Sequence, residues 1–83
     1  MNNVSEIADF RNQKIDEIIE NTLEALQSLN DGEILEIIIS EDVDKNEVVD
    51  RLSESRNYRI DEVSELRSGV HIFIRVFYGS FGL

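Results

Sequence analysis

The charged residues that could do chemistry in this chain gather in one stretch, "DFRNQKID", from Asp9 to Asp16. Asp9 and Arg11 are two apart, so on an extended backbone their side chains point to one side. Such a pair can bracket an anion or fix its own loop by an ion pair, and loop fixing is the expected role, because exposed ion pairs add little stability. Lys14 and Asp16 complete the set of four that would hold a small anionic ligand. The stretch contains no Cys, Ser or His, so it offers no nucleophile of its own.

Elsewhere the chemistry is sparser. His71 is the only histidine. Without a cysteine or a suitably spaced acidic partner it is a poor candidate for a metal site or a triad, and a half-exposed strand position is expected. Arg75 shares its face, and Glu36 on a neighbouring strand is placed to pair with Arg75 across the sheet. In "SEDVDKNE", Asp42, Asp44 and Asn46 take the first, third and fifth positions of an EF-hand loop. Glu47 then stands where the loop needs Gly, and Ser53 where it needs Glu, so a helix cap with solvated charge is expected instead. No Gly-rich phosphate loop is present, since Gly79 and Gly82 lie in the tail, and Tyr58 and Tyr78 are expected to pack. No catalytic residue, metal or cofactor is expected, and the chain is read as a non-enzyme.

Composition narrows the partners. With 83 residues the chain makes one domain, 1–83, and buries only roughly 60–65% of its unfolded surface. It has 18 Asp+Glu against 8 Lys+Arg, a net charge of −10. Phosphate backbones are bound by Lys/Arg neutralisation, so this balance opposes a nucleic-acid partner, and it opposes an anionic membrane surface equally. Solubility is the plain reading of the charge, and a basic protein partner is the more specific one. No apolar run approaches the ~20 residues of a membrane span, and "MNNVSEIADF" lacks the basic and apolar regions of a signal peptide. The chain therefore reads as a soluble, intracellular protein, and a cytoplasmic location is expected.

The elements that must position these residues follow from hydrophobic period. "VSEIADF", Val4–Phe10, reads as a short strand. Ile15, Ile18, Ile19, Thr22, Leu23, Leu26 and Leu29 fall on one helix face, with Asp16, Glu17, Glu20 and Glu24 largely opposite. "NDG" ends that helix, with Gly32 as the left-handed residue. Glu33–Ser40 is apolar on both faces, as a central strand should be. "DKNE", Asp44–Glu47, matches a capping box that opens a second helix with Val48, Val49 and Leu52 inward, closed by "ESRN". Tyr58–Leu66 is a strand whose alternation slips between Ile60 and Val63, which predicts a bulge or a short, exposed edge. "RSG" is a tight hairpin turn, and Val70–Tyr78 is a strong strand with "GSFGL" as a tail. The fold class is thus α+β: a two-layer α/β sandwich, β-α-β-α-β-β, with a four-stranded mixed sheet and both helices on one face. The helices cover Leu35, Ile37, Ile39, Ile72, Ile74 and Val76. The other face carries Ile34, Ile38, Phe73 and Phe77 with no further element to cover them, and contiguous apolar patches usually mark interfaces.

The stretch "DFRNQKIDEIIENTLEALQSLNDGEILEI" resembles the opening of the TusA/SirA-like superfamily of small sulfur-carrier domains. In that family an Asp-x-Arg-Gly turn leads to a Cys-Pro helix start, then a Leu-rich helix and a Gly-Glu turn into the second strand. Asp9 and Arg11 match its Asp and Arg, and Leu26, Leu29, Gly32 and Glu33 match the helix end and turn, without a gap. The likeness runs more loosely through "YRIDEVSELRSGVHIFIRV" and covers most of the chain. It implies the same β-α-β-α-β-β fold. Where the family has its persulfide-carrying Cys and Pro, this chain has Ile15 and Asp16. A thiolate at a helix N-terminus is activated there, whereas an isoleucine can only pack, so sulfur carriage does not carry over. The resemblance implies a Cys-less, non-catalytic member. Such a member would serve as a protein-interaction or accessory module, docking a partner or a second copy through the open sheet face. The alternative is an accessory protein that binds a small anion, or relays sulfur or redox chemistry, at Asp9, Arg11, Lys14 and Asp16.

Overall fold

The apolar run at residues 34–39 forms the heart of the sheet. In the computed structural model, which describes residues 3–78, this strand is β2 (Ile34–Ile39). It lies between β1 (Val4–Asp9) and β4 (Gly69–Val76), and β3 (Tyr58–Leu66) forms the far edge, in the order β1-β2-β4-β3. β1 pairs parallel to β2, while β4 is antiparallel to both β2 and β3. The sheet is therefore mixed, and β1, β2 and β3 all run the same way. Helices α1 (Ile15–Gln27) and α2 (Lys45–Leu52) pack on one face, around one core that includes Ile18, Leu26, Leu35, Ile37, Val48 and Ile72. This is the two-layer α/β sandwich expected from periodicity. The tail positions Gly79 and Gly82 lie outside the described residues.

The helix starts differ in how they are held. At α2, Asp44 caps the helix, its Oδ1 accepting from the backbone N–H of Asn46 and Glu47 at 3.0 and 3.3 Å. Glu47 does not return the bond expected of a capping box; it faces Arg51, one turn on, at 3.8 Å. At α1 the cap position is Lys14, a donor-only side chain that cannot cap. Here the reciprocal half is present instead, with the Lys14 N–H donating to Glu17 Oε1 at 3.0 Å. Ile15 packs against the core, as an isoleucine at that place must.

Two expectations are corrected by turn geometry. Helix α1 ends at Gln27, and Gly32, at φ 86°, is not its left-handed cap. It sits inside the turn Asn30–Glu33, closed by Glu33 N–H to Asn30 O at 3.0 Å, where the third residue of a type II turn requires positive φ. The second correction concerns Arg75. It pairs with Asp61 through Nε and Nη2, both at 2.8 Å, and donates to Gly32 O at 3.1 Å, leaving Glu36 to another partner. The predicted bulge in β3 forms between Ile60 and Glu62, and it turns Asp61 toward Arg75.

The core is almost wholly apolar. Leu35, Ile37, Ile39, Ile72, Ile74 and Val76 are fully buried beneath the helices. Thr22 is the exception in kind: its hydroxyl is buried in α1 with no hydrogen-bond partner among the described residues. Tyr58 and Tyr78 pack against the core edge, and burial, with the neighbouring Tyr78, pushes the Tyr58 phenol up.

Candidate functional site

Three loops meet at one end of the sheet, because β1, β2 and β3 are parallel and all end there. They are the β1–α1 turn, the β2–α2 turn and the β3–β4 hairpin turn at Arg67–Ser68. Crevices outside the carboxyl ends of parallel strands are the usual ligand positions of open α/β sheets. Here the loops enclose an open concavity of about 800 Å³, whose lining side chains, apart from Gly69, are all polar.

Arg11 builds this corner. Its Nε and Nη2 grip Asp9 in a bidentate fork at 2.9 and 2.6 Å, while Nη1 donates to the carbonyl of Ser68 at 3.1 Å. The guanidinium's hydrogen bonds hold the Asp9 carboxyl below its ordinary range, and Asp9 in turn raises Arg11. The pair thus fixes the loop and ties it to the hairpin turn, the role expected for it. Gly69 makes the close approach possible. At φ 137° it starts β4 so near β2 that a Cβ would stand 2.5 Å from the Ile39 carbonyl oxygen.

The four charged residues expected to form one ligand site do not converge. Asp9 and Arg11 line the concavity; Lys14 and Asp16 do not. Asp16 accepts from Arg51 of α2 at 2.9 Å and so ties the two helices together.

A second set of side chains does converge, at His71. His71 on β4 is nearly buried, not half-exposed. Its Nδ1 lies 2.5 Å from Glu36 Oε2 on β2, and its Nε2 lies 2.7 Å from Ser68 Oγ in the hairpin turn. A carboxylate can only accept, so Nδ1 carries the proton; when the ring is neutral, Nε2 accepts from the Ser68 hydroxyl. Glu36 and His71 are not directly opposite. The register pairs Glu36 with Phe73 and Ile38 with His71, so the contact is a diagonal across one sheet face. A signal was present in the three-residue spacing of Ser68 and His71 across a tight turn, but the partner on β2 follows from register alone.

The helix-free face is less apolar than its β2 and β4 alternation suggested. Ile34 is 2% exposed, Ile38 and Phe73 are half-buried, and Phe77 is 38% exposed with the Arg59 guanidinium 5.2 Å over its ring. The Glu36–His71–Ser68 chain and the Arg75–Asp61 pair thread polar groups between them. At its margins this face nevertheless shows Ile7, Leu66 and Phe77. These are three of the four exposed large hydrophobic residues among those described; register places Ile7 and Leu66 here, and continued alternation from Arg75 places Phe77. Among the described residues no cluster of His, Cys, Asp or Glu is suited to a metal, and no helix is long and apolar enough to cross a membrane.

In comparisons with known proteins, no family model matches the chain and no curated protein matches it.

Proposed function

We propose that the chain is a protein-docking module, a Cys-less relative of the sulfur-carrier fold that keeps the scaffold without the persulfide. One observation carries the reading: three of the four exposed large apolar side chains among the described residues, Ile7, Leu66 and Phe77, lie on the sheet face that the helices leave open. Charge selects the occupant. At net −10 a second copy is repelled, whereas a partner with an apolar patch ringed by Lys and Arg is steered in.

The reading is tested by capture from an extract of the native host, with the wild-type chain and an Ile7→Ser/Phe77→Ser double variant side by side. A basic protein held by the wild type at low salt, and lost at least tenfold in the variant, is the expected outcome. Equal capture by both removes the open face from the account. Sedimentation of the pure chain should show a monomer; a dimer dispersed by the double variant would make a second copy the occupant instead.

The small-ligand reading has the polar concavity in its favour, at Asp9 and Arg11. Titration with small anions, read as amide shifts at Asp9, Arg11, Lys14 and Asp16, distinguishes it. Shifts at Asp9 and Arg11 support it, and silence at all four rejects it.

A further inference from the structure

Beyond docking, we propose that Ser68 is an activated nucleophile and that Ser68, His71 and Glu36 form an acyl-transfer site acting on small polar esters. The recognisable signature of such a site is a nucleophile within about 2.6–3.2 Å of a base that a third group orients. Ser68 Oγ stands 2.7 Å from His71 Nε2, and Glu36 holds the opposite ring nitrogen at 2.5 Å. The order of exposure also fits. The side chains of His71 and Glu36 are only 11% and 14% exposed, whereas Ser68 is exposed and lines the concavity at the carboxyl ends of the parallel strands. Base and orienter are thus shielded and the nucleophile is presented. A serine that served only to close its turn would need no carboxylate behind the imidazole.

The chemistry balances with water alone as co-reactant. Ser68 Oγ attacks the ester carbonyl carbon while its proton passes to His71 Nε2, and Glu36 offsets the imidazolium charge. The tetrahedral adduct collapses, the C–O bond to the alcohol breaks, and the alcohol leaves with the proton from Nε2. Water, deprotonated by the same nitrogen, then attacks the acyl-serine, releasing the carboxylic acid and restoring Ser68. Asn12 and Arg67 line the same concavity and have no side-chain hydrogen bond or ion pair among the described residues, so they are available as donors to the oxyanion. The polar lining restricts the acyl group to short or charged chains.

The test is covalent labelling of the full chain with a fluorophosphonate, in which Ser68 Oγ forms the O–P bond and fluoride leaves. Intact mass and peptide mapping should place a single adduct on Ser68. Ser68→Ala should abolish the adduct, and Glu36→Gln should slow it at least tenfold. Because His71→Asn removes a nearly buried ring, its fold is checked by circular dichroism, and Glu36→Gln stands in if it unfolds. No adduct on Ser68, or a labelling rate indifferent to Glu36→Gln, overturns the proposal. Hydrolysis of p-nitrophenyl acetate by the wild type and not by Ser68→Ala extends it from labelling to turnover. Labelling and partner capture fail independently, because Phe77 lies at the opposite end of β4 from Ser68.

Discussion

The same two strands, β2 and β4, present entirely different surfaces to the two sides of the sheet. Toward the helices they offer Leu35, Ile37, Ile39, Ile72, Ile74 and Val76, all fully buried. Toward the open side the same residues' neighbours read Ile34, Glu36, Ile38 on one strand and Arg75, Phe73, His71 on the other, in register. An interchangeable apolar set suffices on the covered side, where burial alone stabilises. On the open side each polar group needs a particular partner at a particular distance, and Glu36, His71, Arg75 and Asp61 all find one. The first surface builds the fold; the second is free to carry function.

That contrast predicts graded effects. Ile37→Ala, a cavity under both helices, should cost about 2–5 kcal/mol and leave an 83-residue chain close to unfolded in a urea titration. Gly69→Ala comes next, at about 2 kcal/mol or more. Its positive φ and the Ile39 carbonyl 2.5 Å from the new Cβ force the hairpin away, and the His71–Ser68 bond should be lost in amide and imidazole spectra. Thr22→Val should work in the opposite direction, raising stability by about 1 kcal/mol by removing a buried hydroxyl without a partner among the described residues. A gain there sharpens the view that the covered face wants only apolar groups; a loss would mean that the hydroxyl has a partner.

The smallest effect is expected at Asp9→Asn. The Arg11 hydrogen bonds lower the Asp9 carboxyl in the folded state, so its contribution is present above its unfolded value of about 3.9 and lost as pH falls through the folded one. The stability gap between wild type and variant should therefore be small at neutral pH and close under acid. A gap that widens below pH 4 would contradict the Asp9–Arg11 fork.

How much of this was legible in the sequence divides along the same line. The covered face could be read because alternation in 34–39 and 70–76 needs no knowledge of partners, and α1's face repeats at helical spacing. The β3 bulge was legible for the same reason: a slip in alternation between Ile60 and Val63 is local. The Asp9–Arg11 pair was readable because two residues on one extended stretch share a side. Glu36, Ser68 and His71 were not, since their meeting depends on the diagonal offset between β2 and β4, which no local pattern records. Arg75 was assigned to Glu36 on face alone, and the bulge at Asp61 supplied a nearer carboxylate. Gly32 was placed at a helix end because glycine marks both helix ends and turns, and the helix stopped at Gln27.

The most direct measurement of the division between faces is the urea unfolding free energy of the Ile7→Ser/Phe77→Ser variant against that of the wild type. Side chains that are 62% and 38% exposed add little to the core, so the two curves should agree within about 1 kcal/mol. A loss of several kcal/mol would show that these residues hold the fold together, and the open face would then be a second core instead of a docking surface.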